Sequence, residues 1–253
     1  MLSVRNPELL KQDVHVVVGC GGGIGLETTS LLLEDNLNVL GLTHDSKPNN
    51  SLVELLNTYP KFNCACGFSY DDQTEDGIKQ LLESRIKASH IVVCTGSLNK
   101  SIYLSSDDED VSREIHRNFV YPLSIVRGLA KTMLASRTKD RSITLISSVS
   151  TKLGNAGRLS YVASKSALEG AMKVLCNEVG RFGIRVNVVS PGLIDTKMLN
   201  DNTDVNEIEL FKGRIALGRV GRPREVANVL RFLMSGDASY INGTTIEVNG
   251  GIL

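Results

Sequence analysis

Tyr161 and Lys165 stand four residues apart in Tyr161-Val162-Ala163-Ser164-Lys165, and Ser148 lies thirteen residues before the tyrosine. In a helix, positions i and i+4 share a face, so this spacing aims a phenol and an ammonium at one point. A phenol with an ordinary pKa of ~10 is a poor acid or base at neutral pH. A neighbouring cation favours the phenolate and suits the phenol to proton transfer. A serine hydroxyl beside the pair could hold an oxygen of the reacting molecule. Tyr-x-x-x-Lys also occurs on solvated helices, so its meaning depends on the elements that carry it.

Those elements alternate between short β-branched runs and longer helical patterns. The apolar runs predict strands at 14–18, 38–42, 62–68, 90–93, 142–146, 185–189 and 244–248. Helical patterns fall at 24–35, 51–57, 77–86, 110–134, 159–181 and 223–234. Continuous apolar strands separated by helices point to a parallel sheet covered on both faces. The expected fold is α/β, one doubly wound domain of seven parallel strands over residues 1–253, with no linker or internal repeat. The most polar stretch, 195–206, reads as part of a mobile substrate loop at about 195–217. The acidic run at 105–110 suits the start of a helix, where carboxylates meet the positive end of the dipole.

Composition narrows the partners. The 253 residues carry 28 basic and 28 acidic side chains, which gives no electrostatic reason to expect nucleic acid or an anionic membrane. No secretory start is visible, and no apolar run approaches the ~20 residues that span a bilayer, so a cytoplasmic protein is expected. The five cysteines (Cys20, Cys64, Cys66, Cys94, Cys176) are odd in number and lie mostly in apolar segments, as buried free thiols do. Cys64-Ala65-Cys66 has no second cysteine pair, and His15, His90 and His116 show no ligand spacing, so no metal site is expected.

Gly19-Cys20-Gly21-Gly22-Gly23-Ile24-Gly25 falls directly between the first strand and the first helix. Glycines there allow a tight turn and let the backbone approach a pyrophosphate at the helix N-terminus. The residue ending the second strand reads the adenosine ribose, an acid favouring NAD over NADP. That place falls on Thr43, followed by His44, Asp45, Ser46 and Lys47. With no acid at Thr43, NADP(H) is favoured over NAD(H), and His44 and Lys47 are available to a 2′-phosphate. Asp45 opposes this if the loop is placed differently, and Gly22 supplies no basic side chain. An ordinary polar loop around Lys47 is the alternative.

Together these motifs resemble the short-chain dehydrogenase/reductase superfamily in its single-domain form, over nearly the whole chain. The family's Thr-Gly-x-x-x-Gly-x-Gly maps to Val18 through Gly25, and its Tyr-x-x-x-Lys to Tyr161 and Lys165. Its active-site serine maps to Ser148, with Ser147 as the alternative, and its helix asparagine to Asn118. The Pro-Gly motif appears as Pro191-Gly192-Leu193-Ile194-Asp195-Thr196. The resemblance implies that Tyr161 transfers the proton, Lys165 lowers its pKa and binds the nicotinamide ribose, and Ser148 holds the reacting oxygen. Asn118 would hold a water in a proton relay, or serve simply as a helix polar residue. A nicotinamide cofactor would lie along Gly19, Gly21, Gly23, Ile24 and Gly25. It would meet Thr43 and His44 at its adenosine end and Gly96 after the fourth strand. Pro191, Gly192, Ile194 and Thr196 would stand beside the nicotinamide, unless Thr196 only caps a helix.

Two segments depart from the family. Its Asn-Asn-Ala-Gly is here Val93-Cys94-Thr95-Gly96, and the threonine opening the glycine turn is Val18. Losing both polar partners together reads as a swap to apolar packing that strands no buried polar group. The altered motif also leaves a redox-inactive nucleotide-binding scaffold as an alternative function. The segment from Gly218 to Gly251 is similar to that of 3-oxoacyl-carrier-protein reductases. It implies a carbonyl reductase acting on a 3-oxoacyl or polyketide-like substrate, small or carrier-bound, in a homodimer or homotetramer. Lys139, Arg141 and Arg181 would dock an acidic carrier or be solvated charge. Substrate choice is expected from the loop after Lys197 and from Leu98, Leu153 and Gly154.

Overall fold

The computed structural model describes residues 6–68, 79, 83, 85–136 and 138–252. Its elements in chain order are β1 (Asp13–Val18), α1 (Gly23–Glu34), β2 (Val39–Leu42), α2 (Asn50–Thr58), β3 (Phe62–Ala65) and β4 (Lys87–Val93). There follow α3 (Asp108–Ile115), α4 (Tyr121–Met133), β5 (Arg141–Ile146), α5 (Ser150–Leu153), α6 (Leu159–Val179) and β6 (Ile184–Pro191). The chain closes with α7 (Lys197–Asn202), α8 (Val205–Lys212), α9 (Pro223–Leu233) and β7 (Thr245–Val248). The expected helix at 77–86 lies mostly outside the described residues.

All seven strands pair in parallel in the order β3-β2-β1-β4-β5-β6-β7. Side chains alternate across a strand, so the valine-rich runs feed two cores at once. Val14, Val16 and Val18 of β1 join Ile91, Leu145 and Val188 on one face, against Ile125 and Leu129 of α4 and Leu168 and Met172 of α6. Val17, Val92 and Val189 face the other way, onto Leu32 and Leu33 of α1 and Val226, Leu230 and Leu233 of α9. Burial of one such side chain contributes about 2 kcal/mol, which fixes register and the choice of face. The fold is the expected doubly wound α/β sheet with helices on both faces.

Two elements differ from expectation. The helical pattern at 110–134 is interrupted by a wide π-helical turn at His116–Val120, between α3 and α4. Such turns insert a residue into a helix and are common at functional sites. The stretch expected as a mobile loop holds α7 and α8, whose starts are fixed by caps. Thr196 Oγ1 accepts from the Leu199 N–H at 3.4 Å, and Asp204 Oδ1 from the Glu207 N–H at 2.8 Å. Both caps are of the residue types that start helices; the one at Thr196 was the alternative offered above, whereas the polar composition hid the one at Asp204.

Candidate active site

Between β1 and β4 the strand order reverses, and a cleft opens at the carboxyl ends of the strands. It encloses about 420 Å³. The glycine turn forms one wall. Gly19 and Gly23 have φ of +84° and +50°, in the left-handed region. A Cβ on Gly25 would lie 2.0 Å from the Gly19 carbonyl oxygen, so the close approach of α1 to the turn requires glycine. α1 starts with no side-chain cap and no acid in its first turn, which leaves the positive helix end to the cleft. Asn49, the cap of α2, donates to the Gly21 carbonyl at 2.6 Å and holds the turn from the other side. Shape, missing side chains and uncapped donors all fit a pyrophosphate.

At the end of β2, Thr43 and His44 line the cleft, and so does Asp45. The Thr43 hydroxyl donates to Asp45 Oδ2 at 3.1 Å, and His44 Nε2 lies 3.4 Å from Asp45 Oδ1. A Cβ on Gly21 would stand 3.4 Å from Asp45 Oδ2. The acid absent from Thr43 is therefore present two residues later, beside the glycine turn.

The residues expected to transfer the proton converge on the same cleft. Ser148 follows β5, Tyr161 lies in the first turn of α6, and Lys165 one turn further on; all three line the cleft. Ser147 also lines the cleft, but it is buried and its hydroxyl donates to Glu169 Oε1 at 2.7 Å. Ser148 Oγ accepts from the Ser150 N–H at 3.1 Å and hydrogen-bonds Tyr161. Lys165, only 3% exposed, donates to the Ile146 and Thr95 carbonyls at 3.0 and 3.4 Å. Its ammonium lies 5.8 Å from the Tyr161 ring centre, and burial pulls its pKa down to about 8. The expected lowering of the Tyr161 pKa by Lys165 is not what prevails. Burial pushes the phenol up, opposed by the Ser148 hydrogen bond and the Arg158 charge and reinforced by Glu114. The ammonium is aimed at strand-end carbonyls, so desolvation wins.

Asn118 is fully buried in the π-helical turn and does not line the cleft. Its Oδ1 accepts from the Ser97 N–H and its Nδ2 donates to the Ser97 carbonyl, each at 2.8 Å. The amide thus clamps the chain after β4. A Cβ on Gly96 would meet Asn118 Oδ1 and Lys165 Nζ, each at 3.1 Å, so this glycine lets the clamp sit against the lysine. Pro191, Gly192, Ile194 and Thr196 line the far wall with Ile24. Thr196 caps α7 and faces the cleft at once, since its methyl would lie 3.1 Å from a Cβ on Gly23.

The altered segment after β4 is not free of polar cost. Val18 is buried as expected and its carbonyl accepts from Cys94 N at 2.8 Å, but Thr95 Oγ1 is buried without a hydrogen-bond partner among the described residues. On the substrate side Leu98 lines the cleft, whereas Leu153 packs on Val149, Phe211 and Ile215. Gly154 ends α5 in the left-handed region away from the lining. Asn155 and Arg158 stand where those two were expected. A cation three residues before Tyr161 on a helical pattern was a readable signal for Arg158. Arg141 begins β5, at the opposite end of the strand from Ser148, and donates to the Met133 carbonyl at 3.0 Å, so it is placed away from the cleft mouth. The five cysteines are free, and no group of three or more metal-ligating side chains occurs among the described residues. No helix among them is long and apolar enough to cross a membrane.

The family described as enoyl-(acyl carrier protein) reductase matches residues 19–253. The (3R)-3-hydroxyacyl-CoA dehydrogenase of Canis lupus familiaris is 30% identical over 260 residues, covering 98% of this chain and 99% of the relative. The 3-oxoacyl-[acyl-carrier-protein] reductase FabG of Buchnera aphidicola is 33% identical over 251 residues, covering 96% and 98%. Among solved structures, 4-hydroxyisoleucine dehydrogenase complexed with NADH superposes with a TM-score of 0.86 at 26% identity, covering 95% of this chain and 98% of that one. With its strand order, its glycine turn and its Tyr161–Lys165 helix, the chain belongs to the short-chain dehydrogenase/reductase superfamily and is an oxidoreductase resembling the 3-oxoacyl-carrier-protein reductases.

Proposed function

We propose that the protein is a nicotinamide-dependent carbonyl reductase of 3-oxoacyl or polyketide-like compounds, working in reverse on the corresponding alcohols. The observation that carries this reading is the convergence of Ser148, Tyr161 and Lys165 on one cleft whose other wall is the glycine turn. The relatives named for 3-hydroxyacyl and 3-oxoacyl chemistry support the substrate class. The bound cofactor would supply the hydride. Tyr161 donates its proton to the carbonyl oxygen as that oxygen gains negative charge, and Ser148 donates a preorganised hydrogen bond to the same atom. Lys165, with its pKa drawn down to about 8, would hold a hydroxyl of the nicotinamide ribose. Asn118 acts as a positioning residue through Ser97. A homodimer or homotetramer and a cytoplasmic site of action complete the reading.

The cofactor choice turns on Asp45. NADP(H) follows from Thr43 alone, but a carboxylate held by the Thr43 hydroxyl beside Gly21 repels a 2′-phosphate and can accept from a ribose hydroxyl. This supports NAD(H). Calorimetric titration should show NADH binding at least about tenfold tighter than NADPH, with Asp45→Asn narrowing the gap. Cofactor oxidation is then followed with 3-oxoacyl thioesters, quinones, sugars and steroid ketones. Turnover confined to the 3-oxoacyl compounds is expected, and failure to bind either nucleotide would sink the reading.

A further inference from the structure

Leu98 lines the cleft, and the residues on either side of it are held from one stretch of helix. Asn118 bonds both the N–H and the carbonyl of Ser97. Glu114, four residues earlier on α3, accepts from the Asn99 N–H through Oε1 at 2.8 Å. Its other oxygen, Oε2, accepts from the hydroxyl of Ser160, the residue next to Tyr161 in the first turn of α6. One carboxylate therefore joins the wall that carries Leu98 to the helix that carries the phenol. Glu114 is 4% exposed and is not part of the cleft lining. Taking a carboxylate out of water is costly unless donors replace its hydration, and here each oxygen has one. α3 packs on α6, and an apolar side chain at this position would serve that packing without the desolvation cost. What it would not do is hold two donors from separate segments at a fixed separation. The tie falls directly after Val93-Cys94-Thr95-Gly96, where the chain departs from its family.

We propose that Glu114 is a positioning residue for substrate recognition: with Asn118 it locks Leu98 into the cleft wall, at a separation from Tyr161 set through Ser160. Leu98, fixed in this way, limits the room for the acyl group beside the reacting carbonyl. The inference rests on the reductase reading of the cleft and adds the residue that fixes its substrate wall.

Hydrogen–deuterium exchange reads the tie without any turnover. In Glu114→Met the Asn99 amide should exchange about tenfold faster or more than in the wild type. Glu114→Gln keeps an acceptor for Asn99 and a partner for the Ser160 hydroxyl, and should keep the protection. Glu114→Asp keeps the charge but is one methylene too short to hold both donors, and should lose it. Kinetics with an acetoacetyl N-acetylcysteamine thioester read the consequence. The Met and Asp variants should lose about tenfold or more in kcat/KM, chiefly through KM, with nucleotide affinity unchanged. The Gln variant should stay within about threefold of the wild type. Leu98→Ala should bring a loss similar to that of Glu114→Met, and the double variant should be little worse than either, since both changes act on one wall. Additive losses in the double variant, or a Gln variant as impaired as the Met variant, overturn the proposal and leave the reductase reading standing. Unchanged Asn99 exchange in the Met and Asp variants overturns it whatever the kinetics. A wild type that turns over no 3-oxoacyl thioester sinks the reductase reading, and faster exchange in Met and Asp but not in Gln then still supports the tie.

Discussion

Lys165 is a buried ammonium whose hydrogen bonds go to two main-chain carbonyls, at Ile146 and Thr95. Its pKa is drawn down to about 8 because burial penalises the charged form. Below that pH the folded protein bears the cost in full. Between about pH 8 and 10.5 the unfolded chain binds more protons than the folded one, so stability from this group rises with pH. A charge kept at that cost points to a task other than holding the fold. Lys165→Met should therefore lose turnover while its Tm at pH 7 stays at or above that of the wild type. A fall of more than a few degrees would show the ammonium to be a net structural tie. Tyr161→Phe should lower kcat by about 10²–10⁴, the range for loss of a positioned proton donor, with cofactor affinity kept. The spacing of these two residues was legible in the sequence because an i, i+4 pair is local. Their electrostatics were not, because the burial that raises the tyrosine comes from residues distant in the chain.

At the scale of elements, the glycine turn and α1 form a joint whose tolerance differs sharply between neighbouring positions. Gly25 packs on the Gly19 carbonyl, where a Cβ would sit at 2.0 Å, and both partners are backbone. Gly22 is extended, with φ of −170°, and a Cβ there would meet nothing within 4 Å. Gly25→Ala should thus destabilise by 3 kcal/mol or more, about the upper end for overpacking, and abolish nucleotide binding. Gly22→Ala should change the urea midpoint little, by about 0.5 kcal/mol or less. Equal effects at the two sites would mean that α1 can shift away from β1. Strand–turn–helix order told where this joint lies, but only packing tells which glycine it rests on. The same limit explains Asn118. A helical pattern at 110–134 placed it mid-helix, while the π-helical turn that swings its amide onto Ser97 leaves no periodic mark. Asp45 was legible only as a counterweight to Thr43; like Arg158, it lies within three residues of a motif position and is carried to the cleft by loop or cap geometry.

At the scale of the whole molecule, seven strands and their faces followed from β-branched runs, since parallel strands buried on both sides are written as continuous apolar sequence. The polar exceptions inside those runs carry a consequence for the entire fold. His15 of β1 and His90 of β4 are register partners in the middle of the sheet, their rings stacked with centres 4.7 Å apart. His90 Nδ1 lies 2.9 Å from Ser142 Oγ on β5. Burial pulls His15 down to about 4, against the Asn38 main chain and the charges of Asp13, Asp140 and Asp35, which act to raise it. Burial, then His15 and Arg185, pull His90 down to about 2. Both are therefore neutral in the fold at pH 7, whereas the unfolded chain takes up protons on each below about pH 6.5. Stability contributed by this pair is complete above about pH 6.5 and is lost as pH falls, toward 4 for His15 and toward 2 for His90. The loss from His15 alone by pH 4 is on the order of 3 kcal/mol. Urea midpoints should accordingly drop between pH 7 and pH 5 in the wild type. His90→Gln, which removes one of the two sites, should weaken that drop although it lowers stability at pH 7. An identical pH slope in both proteins would place the acid sensitivity elsewhere, in the carboxylates on the surface.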